Sequence, residues 1–121
     1  MGTGLIGGSV GLALSEQGWL VSGVDTDAES LTAARDLGAV AAEGWDPAAE
    51  ITFVATPVRS IPEAVRTALG RTAGVVTDVG SVKASVVAQV DDPRFVGGHP
   101  MAGSELDGIA GASASLFSGS V

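Results

Sequence analysis

His99 is the single histidine of a 121-residue chain that contains no cysteine. It stands in Gly97-Gly98-His99-Pro100-Met101-Ala102-Gly103-Ser104-Glu105, where Pro100 stiffens the backbone beyond it and the flanking glycines let a ligand come close. An imidazole takes or shares a proton near neutral pH, so general acid–base catalysis is the chemistry on offer. A lone loop histidine is more often incidental. Here the position just past a strand candidate, at the edge where open α/β sheets bind ligands, favours the catalytic reading. Zinc is not expected, because no second histidine or cysteine exists to share the metal.

A second group of polar residues lies in Asp78-Val79-Gly80-Ser81-Val82-Lys83. It follows another strand candidate and puts the Ser81 hydroxyl, and with it the Lys83 ammonium, at the same edge. Ser81 is also a natural helix N-cap, which does not exclude contact with a substrate, and Lys83 also reads as a solvated surface charge. Thr56-Pro57-Val58 follows the strand candidate Ile51–Ala55 and is read either as a cofactor-facing loop or as a strand-to-helix turn in which Pro57 stops the strand.

The run Gly2-Thr3-Gly4-Leu5-Ile6-Gly7 fits G-x-G-x-x-G and opens a helical pattern. Backbone N–H groups and a helix N-terminus there would face a pyrophosphate. A glycine-rich turn chosen for tight packing explains the same residues, so the fingerprint needs support. Asp25 supplies it, 18 residues beyond Gly7 at the end of the next strand candidate, near the ~20 expected for the acid that binds the adenosine ribose. A carboxylate there repels a 2′-phosphate, so NAD is expected rather than NADP. The alternative for Asp25 is an ordinary polar turn residue, and Asp27 reads as a helix cap.

The elements that must carry these residues alternate. Leu20–Asp25, Ile51–Ala55, Val75–Val79 and Phe95–Gly97 are strand candidates, with a weaker one at Ala39–Ala41. Ile6, Val10 and Leu14 recur every four residues, Leu31, Ala34 and Leu37 every three, and Val82, Val86 and Val90 every four, which marks helix faces that pack on a sheet. Asp27 caps the second helix, and Ser60 with Glu63 reads as a capping box with Pro62 in the first turn. Strand and helix in repetition predict a doubly wound, parallel α/β sheet of Rossmann type, occupying residues 1–121 as one partial domain. Only Met1 precedes the glycines, so the first strand of that fold is expected to be missing and its neighbours to be left with unpaired backbone groups. The stretch Gly108–Val121 reads as an ordered loop with the start of a strand.

Bulk composition agrees and narrows the function. Hydrophobic residues make up 45% of the chain, ample for a core, and the net charge is −8. Nucleic acid and anionic membranes attract basic surfaces, so neither is an expected partner, and an anionic ligand must be held by local groups. No secretory or membrane segment is visible, and the absence of cysteine is compatible with the cytoplasm.

Taken together, G-T-G-L-I-G-G-S-V-G-L-A-L, A-T-P-V, D-V-G-S-V-K and R-F-V-G-G-H-P-M-A-G-S-E resemble, in this order and over almost the whole chain, the prephenate dehydrogenase family, which includes arogenate dehydrogenases. The resemblance implies that Gly2, Gly4 and Gly7 meet the pyrophosphate, with Thr3, Leu5 and Ile6 of the same loop at the cofactor, Asp25 at the ribose, and Thr56, Pro57 and Val58 at the inner face of NAD. It implies that His99 is the catalytic histidine and Ser81 the serine at the substrate hydroxyl, with Lys83, Ser104 and Glu105 lining the substrate side. The reaction implied is oxidative decarboxylation of prephenate to 4-hydroxyphenylpyruvate, or of arogenate to tyrosine. In this family a helical domain follows the cofactor domain, makes the homodimer and supplies an arginine for the substrate carboxylate. Nothing after Val121 supplies that domain, and Arg59, Arg66, Arg71 and Arg94 do not match its arginine, so the helical domain is expected to be absent and the chain alone to be inactive or nearly so. Two other readings stay open: a β-hydroxyacid dehydrogenase cofactor domain, which has no counterpart of G-G-H-P-M-A-G-S-E, and a non-catalytic dinucleotide-binding fragment.

Overall fold

The computed structural model describes residues 1–79 and 90–98. Among these, 2–45 form one compact unit, and Met1 with 46–79 and 90–98 forms another.

In the first unit, helix α1 (Leu5–Glu16) is followed by strand β1 (Ser22–Gly23), helix α2 (Ala28–Asp36) and strand β2 (Ala42–Glu43). β1 and β2 pair in parallel, Ser22 with Ala42 and Gly23 with Glu43. The strands are shorter than the apolar runs predicted, and β2 begins just after the Ala39–Ala41 segment expected to form it. Asp27 does cap α2, its carboxylate accepting from the Glu29 N–H at 3.0 Å. The helix ends at Asp36 with Leu37 as its C-cap, and Gly38, with φ 83°, turns the chain in the left-handed region that a side chain would resist. Leu37 is 54% exposed, because it is the cap and not part of the face that Ala34 buries. Ala34, Ala39 and Val40 make the core, with Leu12, Val21 and Leu31 packed against it.

The face that α1 buries also differs from the one its large residues predicted. Ile6, Val10 and Leu14 are half-buried, whereas Gly8, Ser9 and Gly11 are buried. Close approach of backbones is the reason: a Cβ on Gly11 would lie 2.3 Å from the Ala39 carbonyl oxygen. Small residues therefore form the contact stripe, and the larger ones flank it.

The second unit is a three-stranded parallel sheet in the order β3 (Ile51–Val54), β4 (Val75–Asp78), β5 (Phe95–Val96), with helix α3 (Ile61–Arg71) between the first two in sequence. Ile51 pairs with Val75 through to Val54 with Asp78, and Val76 and Thr77 pair with Phe95 and Val96. α3 buries Ile61, Ala64, Val65 and Ala68, the i, i+3, i+4, i+7 stripe of an amphipathic helix, and packs on β3 and β4. The expected capping box at Ser60 does not form. Val58–Ser60 is already a 3₁₀ turn, so Ser60 has helical angles (φ −93°, ψ −8°), and its side chain makes no cap bond. Pro62 does stand in the first turn.

The end of α3 is closed by a residue distant in sequence. Arg94 donates to the Leu69 carbonyl at 2.6 Å and to the Thr72 and Gly74 carbonyls at 2.8 and 3.2 Å. A guanidinium suits the helix-end carbonyls of Leu69 and Thr72 in both geometry and charge, and Gly74 lies just beyond them. No strand precedes α1 among the described residues. Met1 nevertheless occupies one ladder position on the outer edge of β3, its N-terminal ammonium donating to the Phe53 carbonyl and its carbonyl accepting from the Ala55 N–H, both at 2.7 Å.

Candidate functional site

The glycine run is arranged as a helix entrance. Gly2 has φ 87°, an angle that favours glycine, and its N–H donates to the Val24 carbonyl at 2.9 Å. Gly4 is the N-cap of α1 and has no side chain to satisfy the first turn; no acidic residue stands there either. The first bond of the helix in this run goes from the Gly8 N–H to the Gly4 carbonyl. The N–H groups of Leu5, Ile6 and Gly7 therefore belong to the uncapped first turn, the arrangement that receives anions.

Asp25 lies two residues past β1 and is tied to this entrance. Its Oδ2 accepts from the Thr3 N–H at 2.8 Å and the Thr3 hydroxyl at 2.7 Å, and its Oδ1 accepts from the Asp27 N–H at 2.8 Å. Partial burial pushes the carboxyl pKa up. The hydrogen bonds from the Asp27 N–H, the Thr3 hydroxyl and the Thr3 N–H, together with the positive charge of the N-terminus, more than offset this and hold it below the ordinary carboxylate value. The bond from the Thr3 side chain was not foreseeable from the glycine spacing, which gives that position no preferred residue. Asp27 is engaged elsewhere, accepting from the Glu29 N–H and, at 3.0 Å, from the Ser30 hydroxyl.

In the other unit, Thr56, Pro57 and Val58 follow β3 at its carboxyl end. Pro57 has φ −53° and ψ 145° and opens the 3₁₀ turn, so the turn reading of this segment holds in part. The Thr56 hydroxyl oxygen is buried yet finds no hydrogen-bond partner among the described residues. A buried hydroxyl without a partner is costly, and a polar ligand atom within its reach would relieve that cost.

At the end of β4, Asp78 is 1% exposed and accepts from the Gly98 N–H at 3.3 Å. A Cβ on Gly98 would stand 3.0 Å from the Thr77 hydroxyl oxygen and 3.1 Å from the Asp78 carbonyl oxygen, so this glycine lies against the strand. Asp78 and Arg94 thus hold the chain that leads up to residue 98, a supporting role that spacing alone did not reveal. His99, Ser81, Lys83, Ser104 and Glu105 lie outside the described residues. Among the described residues no cluster of three metal-ligating side chains occurs, and no helix is long and apolar enough to cross a membrane.

Known proteins give this geometry a context. Residues 10–121 match the family model for the nucleotide-binding domain of prephenate dehydrogenase. The prephenate dehydrogenase of Bacillus subtilis (strain 168) is 37% identical over 96% of this chain. Among solved structures, Synechocystis arogenate dehydrogenase superposes with a TM-score of 0.87 at 31% identity, over 98% of this chain and 46% of its own. The Aquifex aeolicus prephenate dehydrogenase in complex with hydroxyphenyl propionate and NAD+ gives 0.88 at 30%, with the same coverage. The chain spans about a third of the length of the curated relative, 35%, and just under half of the solved ones. With a family match over most of its residues and a parallel α/β fold shared at this level, the chain belongs to the prephenate dehydrogenase family, in its nucleotide-binding domain.

Proposed function

We propose that residues 1–121 are the NAD-binding domain of an oxidoreductase of tyrosine biosynthesis, acting by oxidative decarboxylation of prephenate or arogenate. The observation that carries this reading is the uncapped glycine entrance to α1 with Asp25 tied beside it, in a chain of this family. The residues fit the cofactor. The Leu5, Ile6 and Gly7 N–H groups suit a pyrophosphate, and Oδ1 of Asp25 keeps room for a ribose hydroxyl; taken by itself, the Thr56 hydroxyl, without a partner among the described residues, supports the sequence assignment of Thr56, Pro57 and Val58 to the cofactor. NAD is preferred over NADP because the Asp25 carboxylate repels a 2′-phosphate.

When bound, NAD+ supplies the hydride acceptor. His99 takes the proton of the substrate's ring hydroxyl as the carbon that bears it is oxidised, and Ser81 positions that hydroxyl; Lys83, Ser104 and Glu105 line the substrate side. Loss of the ring carboxylate as carbon dioxide then sends its electron pair through the ring to the oxygen of that hydroxyl, which takes the proton back as the aromatic phenol forms. General-base help of this kind contributes about 10²–10⁴-fold. A homodimer formed through a helical domain, as the sequence resemblance implies, and a cytoplasmic setting belong to the same proposal.

The test has two parts. Calorimetric titration of the chain with NAD+ should show saturable binding that Asp25→Ala abolishes. A chimera in which this chain replaces the matching segment of a full-length relative should turn over prephenate or arogenate, and His99→Asn should lower its kcat by about 10²–10⁴-fold. A folded chain that ignores NAD+, or a chimera whose kcat is indifferent to His99→Asn, would defeat the respective half of the proposal.

A further inference from the structure

The carboxylate of Asp25 is held by donors of its own chain before any ligand arrives. Oδ2 accepts two bonds from Thr3 and Oδ1 one from Asp27. An ionised carboxylate has about four acceptor positions, so Oδ2 is full and one position remains, on Oδ1. Thr3 is itself 3% exposed, so its hydroxyl is anchored in the fold.

Resting on the NAD reading above, we propose that Thr3 is a cofactor-selectivity residue: its hydroxyl and N–H together clamp Asp25, which then offers Oδ1 to a ribose hydroxyl and cannot swing aside for a 2′-phosphate.

The selectivity turns on what each cofactor asks of Asp25. A ribose hydroxyl donates to Oδ1 and leaves the carboxylate in place. A 2′-phosphate brings negative charge against it, and relief comes only if the carboxylate rotates away, breaking the charge-assisted bonds that hold it. The Met1 ammonium helps to hold the Asp25 pKa down but already donates to the Phe53 carbonyl, and the sequence beside Asp25 brings no further cation. From Gly23 to Ala34 there is no lysine or arginine, and Arg35 lies in the last turn of α2, at the far end of that helix. Asp27 adds a second carboxylate, already committed to capping α2. The hydrogen bonds also keep the Asp25 carboxyl ionised to lower pH than usual, so its charge is dependable. Selectivity is thereby set by two residues, the acid and the residue that immobilises it.

The test compares NAD+ and NADP+ binding to the full 121-residue chain by calorimetry at one ionic strength, for the unaltered chain, Thr3→Val and Thr3→Ser. Valine keeps the backbone N–H and the branched shape and deletes only the hydroxyl donor; serine keeps the donor. The preference for NAD+ should narrow about tenfold in Thr3→Val, the scale of one charge-assisted hydrogen bond, and persist in Thr3→Ser. A purely structural Thr3 would weaken both cofactors in parallel and leave their ratio alone. An unchanged ratio in a folded Thr3→Val chain that still binds NAD+ overturns the clamp and spares the cofactor site, whereas an unaltered chain that binds neither dinucleotide overturns both. Thr3→Ala, read in the same way, decides the matter if the valine variant does not fold.

Discussion

Replacing Arg94 with methionine removes the charged group that closes α3 and keeps most of the side chain's length. Its bonds to Leu69 and Thr72, at 2.6 and 2.8 Å, are short and charge-assisted; the third, to Gly74 at 3.2 Å, counts for less. Bonds of this kind contribute about 1.5–3 kcal/mol each when well buried. The Arg94 side chain is 35% exposed, and water can take over part of the work, which brings the expected loss for Arg94→Met to about 2–3 kcal/mol in total. Urea unfolding followed by circular dichroism should show the midpoint falling by about 1–2 M with an unchanged slope, since the surface exposed on unfolding is the same. Arg94→Lys, which has a single ammonium and no planar fork, should fall between the two. A midpoint for Arg94→Met that stays with the unaltered chain would mean that solvent satisfies these carbonyls equally well, and the capping argument would be wrong.

Three further outcomes follow from the same geometry. Gly11→Ala should destabilise the chain by about 1–3 kcal/mol, read as a lowered melting temperature, because the added methyl meets the Ala39 carbonyl oxygen at 2.3 Å and backbone must move. Thr56→Val should leave the ligand-free chain as stable or more so, by up to about 1 kcal/mol, while reducing the thermal stabilisation that saturating NAD+ confers; a large loss of ligand-free stability would show that the hydroxyl is satisfied after all. Asp25 has a folded pKa below its unfolded one, so its contribution is complete above the unfolded value, about pH 4, and is lost as pH falls through the lower folded value. The stability gap between the unaltered chain and Asp25→Asn should accordingly be constant near neutrality and close below about pH 4.

Much of this was legible in the residues, for definite reasons. Glycine spacing and a carboxylate at a strand end are local signals, as are Asp27 before α2 and the apolar stripe of α3, and each reads directly as structure. What stayed hidden depends on contacts distant in sequence or on small residues. The stripe of Gly8, Ser9 and Gly11 carries no hydrophobic signal, yet it is the buried side of α1, because backbone proximity replaces side-chain bulk there. Ser60 looked like a cap because its type and spacing were right. The preceding 3₁₀ turn, which pattern reading does not anticipate, had already given it helical angles. Arg94 was recognisable as part of a motif but not as the closure of a helix more than twenty residues earlier. The motif residues Ser81 and His99 were read from sequence alone, and both lie outside the described residues.

The pairing pattern of β3, β4 and β5 bears on how this part of the chain is made and unmade. Every strand in it joins the next one in sequence, Ile51 to Val75 and Val76 to Phe95, so each closure spans only about 20 residues and costs little more entropy than a loop of half that length. Short-range topology of this kind favours rapid formation, and the Arg94 bonds couple the last strand back to the helix. The amides of β4, which is paired on both sides, should then exchange with solvent through a shared opening in which the three strands and α3 come apart as one body. Destabilising substitutions at Val54, Val65 or Val76 would be felt as a loss of that whole body, not as local fraying.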